Sequence, residues 1–281
     1  MQKTYKKYFA VFVLPILTVY FIAFLFPLIS GVYLSFTKFK TVSDAEFVGL
    51  SNYAFVFSDV RGFLSALKFT AKFTAVSMVT TNLFAFILAL LLTKGVRGTN
   101  TFRTIFFMPN LIGGIVLGYI WQIVINGVLI KTVGVDITYS AKYGFWGMVI
   151  LYNWQMIGYL MIIYIAGLQA IPSELMEAAE VDGANKWQVL KNIKLPLVMP
   201  AITICLFLTL SGGFKMFDQN FALTNGAPRN QTTMLALDIY NTYYKRIGFA
   251  GVGQAKAVVF TLMVVAITFL QVKLTRSKEV D

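Results

Sequence analysis

Polar side chains that suit hydrogen bonding to a polyhydroxylated ligand lie inside apolar runs of this 281-residue chain. One run contains Asn-Trp-Gln at 153–155 and Tyr159, and a later run contains Thr209 and the polar segment 211–220. Amides and hydroxyls both donate and accept hydrogen bonds, and aromatic faces stack on apolar ring faces. Because polar groups within apolar runs are costly to keep there, these residues are candidates for a binding site.

The residues that most catalytic sites use are missing. The chain has no histidine and one cysteine, Cys205, within an apolar run. It also lacks a Gly-x4-Gly-Lys-Ser/Thr segment, which would cradle nucleotide phosphates. It offers no nucleophile beside a base and no pair of acids placed for glycoside hydrolysis. We therefore expect no enzyme activity, no metal site and no cofactor bound by this chain.

The composition indicates a membrane protein. Hydrophobic residues make up 58% of the chain and charged residues 13%, against about 45–50% and about 25% in soluble domains. The net charge of +12 does not indicate nucleic-acid binding, because the basic residues sit at the ends of apolar runs. That distribution is typical of membrane topology.

Six apolar runs have the length that a transmembrane helix needs, roughly 20 residues. The first resembles a signal peptide, but it is too long and lacks a small-residue cleavage site, so we expect a retained helix. The last is bracketed by Lys256 and Lys273. The predicted spans are approximately 9–35, 69–93, 104–126, 144–168, 198–223 and 257–272.

Six spans place both termini on the same side of the membrane. The segments on that side, 1–8, 94–103, 169–197 and 273–281, hold twelve Lys and Arg residues. The opposite segments are longer and hold ten. The higher density on the side of the termini predicts that both termini are cytoplasmic.

The segment 172–196, between the fourth and fifth runs, has the pattern of two helices around a glycine. Ser173 is a candidate N-cap, and acidic residues crowd the first turns, where the helix dipole favours them. Gly183 can adopt the left-handed conformation that ends a helix. Pro196 is expected to stop the second helix. This segment either packs only on its own subunit or forms a docking surface.

The spacing of Glu177-Ala178-Ala179, Gly183, Ile193, Leu195 and Pro196 resembles the signature loop of binding-protein-dependent importer permeases. The segments 47–53, 102–104, 107–109 and 223–228 resemble sugar permeases of the maltose-transporter kind. The resemblance implies an all-α polytopic protein with the type I ABC importer (MetI-like) permease fold. It also implies an N-terminal helix and external segment over 1–64, a transporter domain over 65–272 that includes the loop 172–196, and a cytoplasmic tail over 273–281.

In that family the loop docks on a separate ATPase subunit, so the resemblance implies that ATP and Mg are bound by partners and not by this chain. The other implied partners are a second homologous permease, a second ATPase, an extracytoplasmic sugar-binding protein, a carbohydrate substrate and the bilayer of the bacterial cytoplasmic membrane. No nucleic acid is expected. The residues implied in coupling to the ATPase are Glu177, Ala178, Ala179, Gly183, Trp187 and Pro196.

The resemblance also implies which residues contact the sugar, for which an oligosaccharide is favoured. To the positions carried over from the family we add Lys215 and Asp218, on their chemistry. An alternative is that these two charges, three residues apart, pair with each other, and that the polar residues only bond neighbouring helices. The candidates are Asn110, Gly114, Tyr152, Gln155, Met156, Tyr159, Thr209, Gly213, Lys215, Met216 and Asp218.

Two other functions remain open at this point. An ion-coupled secondary transporter acting alone would need a carboxylate within the membrane, for which Asp218 is the candidate. An importer of the same type could instead carry a sugar-phosphate, a polyol or an acidic sugar. A membrane enzyme is disfavoured by the missing catalytic groups.

Overall fold

The computed structural model describes residues 2–95 and 97–277, so the last four residues of the predicted tail 273–281 lie outside the described residues. The chain forms two compact units, Met1–Phe63 with Ile239–Leu262, and Leu64–Asp238 with Met263–Asp281. The predicted division at 64/65 and 272/273 stays a prediction. In chain order the helices are α1 (Gln2–Tyr20), α2 (Phe26–Leu34), α3 (Ser51–Ser58), α4 (Phe63–Leu92), α5 (Thr99–Phe107), α6 (Gly114–Val133), α7 (Ala141–Gln169), α8 (Ser173–Val181), α9 (Lys186–Val189), α10 (Leu195–Leu197), α11 (Met199–Phe214), α12 (Asp218–Leu223), α13 (Leu235–Lys245) and α14 (Ala250–Arg276).

Within the described residues, five stretches are long and apolar enough to cross a membrane: Val11–Leu34, α4, α6, α7 and α14. A sixth span results if Lys186–Leu197 and α11 form one element, because these two segments are bent by 69° at their junction. The structure therefore supports the predicted all-α polytopic architecture.

Two π-helical turns each end two residues before a proline. Phe21–Leu25 precedes Pro27, and Leu190–Lys194 precedes Pro196. A proline ring clashes with the carbonyl four residues earlier and supplies no N–H. A wider turn relieves that conflict, so the chain stays helical through both prolines. The second helix ends at Leu197, one residue after Pro196, and a 69° bend separates it from α11, so the predicted stop before the fifth span is confirmed to within one residue.

In the first unit, the segment after α2 forms a short hairpin from β1 (Thr37–Lys38) and β2 (Glu46–Phe47), which pair antiparallel. The amide of Asn52 on α3 donates to the carbonyls of Ser35 and Thr37, at 2.9 Å each. A Cβ on Gly251 would lie 1.9 Å from the Thr37 carbonyl oxygen, so glycine lets α14 approach this hairpin.

In the second unit, α7 is the central helix. Apolar side chains along it, among them Met148, Leu151 and Leu160, are fully buried. A polar stripe on α4 is also buried and recurs at the helical spacing of three and four residues. Its members are Thr70, Thr74, Ser77 and Thr81.

Two of the predicted spans are interrupted in the structure. The run 104–126 is broken at Ile112 and Gly113, where backbone torsions turn extended, so the third span is α6. The run 198–223 is also interrupted, because α11 ends at Phe214 and α12 begins at Asp218. In both places the sequence offers glycines, which weaken a helix.

The last span begins upstream of its predicted start, at Ala250. Lys256 therefore lies within α14 and not at its end, and its side chain is fully buried. It is stabilised there by Asp59, whose Oδ2 lies 3.0 Å from Lys256 Nζ. Charge alone marked this lysine as a membrane boundary, and a charge partner distant in sequence allows it to sit inside the helix.

Candidate functional site

A cavity of about 300 Å³ lies where α7 faces the interruption between α11 and α12. The chain is not helical between Phe214 and Asp218, so this interruption opens space beside α7 that a continuous helix would fill. The lining residues are Tyr152, Gln155, Met156, Gly212, Lys215, Met216, Phe217, Asp218 and Gln219. Amides, a phenol, an aromatic ring and two opposite charges therefore converge on one space.

Two glutamines cross-link the wall of this cavity. Gln219 Nε2 donates to Gln155 Oε1 at 2.8 Å, and Gln155 Nε2 donates to the Ile112 carbonyl at 3.3 Å. Gln155 is largely buried, so its amide is held in one orientation by bonds on both sides. The extended residue Ile112, at the break before α6, is thereby joined to α7 and α12.

The two charged residues of the cavity do not pair with each other. In the part of the chain that the structure describes, Lys215 and Asp218 form no ion pair, although they are only three positions apart. Lys215 is exposed and Asp218 half-buried. The alternative in which they only neutralise each other is therefore not seen in this conformation.

Six of the predicted ligand residues line the cavity: Tyr152, Gln155, Met156, Lys215, Met216 and Asp218. The other five do not. Asn110 lies just behind the wall, where its amide contacts Met156 Sδ at 3.4 Å. Tyr159 packs on Phe107, with 6.4 Å between ring centroids. The role of each of these residues in binding stays a prediction.

The remaining three are explained by packing. A Cβ on Gly114 would lie 2.7 Å from Asp218 Cβ, and one on Gly213 would lie 2.8 Å from Thr74 Oγ1, so both glycines permit close contact between helices. Thr209 is buried. Its hydroxyl donates to the Cys205 carbonyl at 2.8 Å, and its own carbonyl accepts from Tyr152 at 3.3 Å.

The structure reveals a polar network on α4 that the sequence analysis did not single out. Asn82 donates to Thr209 Oγ1 at 3.0 Å and accepts from the Tyr164 hydroxyl at 2.7 Å. The hydroxyls of Thr80 and Thr81 donate to Asn153. Asn153 thus bonds a neighbouring helix and does not line the cavity. The recurrence of Thr and Ser at helical spacing in the second apolar run was the signal that could have revealed this network.

The segment 172–196 has the predicted helix, glycine and second helix. Helix α8 ends in a Schellman motif: Ala184 N–H bonds the Ala179 carbonyl at 2.9 Å, and Gly183 N–H bonds the Glu180 carbonyl at 3.1 Å. Gly183 has φ +71°, as expected for the residue after the helix end. The predicted N-cap is wrong, because Pro172 holds that position and Ser173 is already helical.

The second helix of the segment is capped by a residue not anticipated from sequence. Asn185 Oδ1 accepts from the N–H groups of Trp187 and Gln188 at 3.0 Å each, and Gln188 Oε1 accepts from Asn185 N–H at 2.7 Å. This reciprocal capping box fixes where α9 begins. Together with Gly183 it sets the angle between α8 and α9.

Large apolar side chains of this segment are exposed. Val181 is 88% exposed and Trp187 is 68% exposed, whereas Ala179 is buried on the opposite side of α8. Glu177 is also exposed, and at 100° per residue it lies on the same side of α8 as Val181. A segment that only packed on its own subunit would bury these apolar groups, so the geometry fits a docking surface.

Polytopic α-helices, a polar cavity at helix breaks and an exposed helix–glycine–helix segment define a membrane transport component. The family model described as "Binding-protein-dependent transport system inner membrane component" matches residues 81–279, and the chain belongs to this family. It is therefore a permease component and not an enzyme. Family membership also removes the alternative of a secondary transporter acting alone.

Two relatives match almost end to end. "Probable starch degradation products transport system permease protein AmyD" of Thermoanaerobacterium thermosulfurigenes is 43% identical over 279 residues, which cover 96% of this chain and 94% of that protein. "Multiple sugar-binding transport system permease protein MsmF" of Streptococcus mutans is 31% identical and covers 100% of this chain and 99% of that protein.

A solved structure shares the fold. A chain of a bacterial ABC transporter involved in the import of the acidic polysaccharide alginate superposes with a TM-score of 0.82, at 20% identity and over 98% of both chains. This match confirms the predicted fold class, the type I importer permease fold.

Proposed function

We propose that this chain is one permease subunit of an ATP-driven importer that carries a carbohydrate, most simply an oligosaccharide, across the bacterial cytoplasmic membrane. The observation that carries the proposal is the cavity between α7 and the α11–α12 break, where amides, a phenol and an aromatic ring meet. These groups match the hydroxyls and apolar ring faces of a sugar. The names of the two relatives, which concern starch degradation products and multiple sugars, support the same substrate class.

Within this proposal, transport proceeds by alternating access. The exposed face of α8 and α9 docks on an ATPase subunit through Glu177, Ala178, Trp187 and their neighbours. ATP and Mg are bound by that ATPase subunit. Movement of this segment is transmitted along the chain, by way of the π turn 190–194 and the 69° bend, to α11. Helix α11 carries one wall of the cavity. A two-state motion of that kind changes the side from which the cavity is reached.

The remaining assembly follows from the same proposal. A second permease, a second ATPase and an extracytoplasmic sugar-binding protein complete the importer, and both termini of this chain face the cytoplasm. The density of Lys and Arg on the side of the termini supports this orientation. It is also the orientation that brings the segment 172–196 to the ATPases.

Uptake by the reconstituted importer tests the substrate class. Gln155→Ala removes an amide from the cavity wall and should raise the sugar concentration needed for half-maximal uptake by about tenfold, as expected for losing one or two hydrogen bonds. Gln122→Ala is the matched control, because Gln122 bonds the Leu223 carbonyl on α12 outside the cavity. Equal effects of the two substitutions would remove the cavity from the sugar pathway.

Copurification tests the ATPase docking separately. Glu177→Lys reverses a charge on the exposed face of α8 and should reduce recovery of the ATPase with the tagged permease while the permease still inserts. Glu180→Lys makes the same charge change at a position 60° from Glu177 around the axis of α8, nearer the buried side of the helix. It should reduce ATPase recovery less. Full ATPase recovery and wild-type uptake in the Glu177→Lys variant would contradict the docking role.

A further inference from the structure

A second cavity in the larger unit carries positive charge and is separate from the proposed sugar site. It has a volume of about 340 Å³ and lies between α4 and α7, near the membrane surface at which both helices begin. The residues that line it are Phe69, Lys72, Val76, Ala141, Lys142, Phe145 and Trp146. Of these described residues none is acidic, so two lysines face one space without a carboxylate in its wall.

Lys72 is held toward this space by an aromatic ring, and Lys142 stands at the start of α7. Lys72 Nζ lies 4.8 Å from the centroid of the Phe145 ring, a distance at which a cation is attracted to the ring face. Phe145 is fixed in turn by edge contacts with Phe69 and Trp146, at 5.9 and 5.4 Å between centroids. Lys142 stands in the first turn of α7, where the helix dipole repels a cation and favours an anion.

Exposed apolar stripes on α4 and α7 surround this cavity. On α4 the residues Val79, Leu83, Ile87 and Leu91 form an exposed apolar stripe at helical spacing, and Lys72 and Lys68 continue it. On α7 the exposed stripe is Lys142, Trp146 and Ile150. Apolar stripes that end in lysine and tryptophan are typical of helices at the edge of the hydrocarbon layer.

Helix length places Lys72 at the depth of lipid phosphates. Helix α4 has 30 residues, which at 1.5 Å each span about 45 Å, against roughly 30 Å of hydrocarbon. The exposed apolar stripe begins one to two turns after Lys72. With the end of α4 set at the opposite edge of the hydrocarbon layer, the excess length lies at the start of the helix, and Lys72, nine residues in, sits about 14 Å from that start, near the layer where phosphates lie.

We propose that the cavity between α4 and α7 binds the headgroup of an anionic phospholipid, with the phosphate between Lys72 and Lys142 and an acyl chain along the exposed stripes. Two ammonium groups supply the charge complement, Trp146 lies at the level of the glycerol backbone, and Val79 and Ile150 contact the chain. Anionic lipid therefore becomes a specific ligand of the permease, whichever solute the permease carries.

Native mass spectrometry of the full-length chain, titrated with phosphatidylglycerol or phosphatidylcholine, tests the proposal without any substitution. Phosphatidylglycerol should bind at least about tenfold more tightly, because each lysine near an anionic headgroup contributes on the order of fivefold in affinity. Equal affinity for the two lipids would overturn the proposal. The proposal would also be overturned if inorganic phosphate competed with the bound lipid as well as short-chain phosphatidylglycerol does, since the site would then take a free phosphate.

A substitution pair locates the site. The double variant Lys72→Gln with Lys142→Gln should lose the preference for phosphatidylglycerol. The control Lys40→Gln with Lys131→Gln removes the same charge from exposed positions that neither line the cavity nor lie on its stripes, and it should keep the preference. Preference retained in the first variant, or lost equally in both, contradicts the site. If the first variant instead keeps its lipid preference but no longer copurifies a second permease, the cavity is a protein interface and the proposal is wrong.

Discussion

Lys256 Nζ lies 3.0 Å from Asp59 Oδ2 and 3.0 Å from Thr242 Oγ1, and the lysine side chain is fully buried. Asp59 also accepts from the N–H groups of Gly62 and Phe63, at 3.0 and 3.3 Å, where α4 begins. One carboxylate thus joins the segment between α3 and α4 to α14. This relationship explains why a lysine within the last apolar run does not interrupt that helix.

A double-mutant cycle measures the strength of this pair. Asp59→Asn and Lys256→Met should each lower the free energy of unfolding of the detergent-solubilised chain by about 2–4 kcal/mol, because each removes half of a largely buried ion pair. Thermal unfolding measures both losses. The double variant should be more stable than the sum of the two losses predicts, by at least about 1 kcal/mol. Strict additivity would show that the two charges do not interact.

The same pair predicts a pH dependence. Burial raises the pKa of the Asp59 carboxyl, but Lys256 and the N–H groups of Phe63 and Gly62 outweigh it and hold that pKa below its ordinary value of 3.8. Because the folded-state pKa is depressed, this stability is fully present above the ordinary value and is lost as pH falls through the lower folded value. The stability difference between the wild type and Asp59→Asn should therefore be constant from pH 7 to 5 and shrink below about pH 4. A difference that grows on acidification would contradict this assignment.

The angle between α8 and α9 depends on the left-handed conformation of Gly183. Gly183→Val should reduce both uptake and ATPase copurification, because a β-branched residue strongly resists φ near +71°. Gly183→Asn is the matched control. It also adds a side chain, in a position where nothing lies within 4 Å of a new Cβ, but asparagine tolerates this conformation. If Val and Asn behave alike, added bulk and not backbone conformation is responsible.

The packing of α5 on α7 depends on the absence of a side chain at Gly158. A Cβ there would lie 1.8 Å from the Phe106 carbonyl oxygen, which is backbone and cannot move aside alone. Gly158→Ala should lower the free energy of unfolding by about 3 kcal/mol or more. Gly127→Ala on α6 meets nothing within 4 Å and should be neutral or stabilise by about 0.5–1 kcal/mol. Thermal unfolding of the two variants checks both expectations.

Composition and apolar run length predicted the class of fold correctly, because every backbone polar group in a bilayer must be satisfied within a helix. The break at 112–113 was not predicted, whereas the one at 215–217 follows closely on Gly212 and Gly213, a pair that favours a helix break. Local propensity at Gly113 and Gly213 permits a break, but the hydrogen bonds that stabilise one involve residues far apart in sequence, such as Gln155 and Ile112.

The pattern of the segment 172–196 was predicted for the opposite reason. Its helix–glycine–helix pattern is set by a local signal, Gly183 after the first helix, although the residues that cap the two helices were not predicted. The cavity was predicted only in part. Lys215 and Asp218 were found from their charge, but Phe217 enters the wall because of the interruption itself, which no spacing rule indicates.

Lys215 and Asp218 provide a test of which sugars the cavity takes. Both line it and neither is paired with the other, so each is available to a passing solute. Lys215→Met should weaken uptake of a sugar that carries a carboxylate more than that of a neutral oligosaccharide, because the ammonium group attracts the carboxylate and only hydrogen-bonds a hydroxyl. Asp218→Asn keeps the shape and hydrogen-bonding capacity and should weaken neutral-sugar uptake by no more than about tenfold. The measurement is competition between a neutral and an acidic oligosaccharide for uptake by the reconstituted importer, with the thermal midpoint recorded for each variant.

The double variant Lys215→Met with Asp218→Leu should keep its thermal midpoint, since no ion pair is broken, yet lose affinity for sugar. If the double variant instead transports both sugars as the wild type does, these two charges do not contact the solute, and the proposed site rests on Tyr152, Gln155 and Gln219.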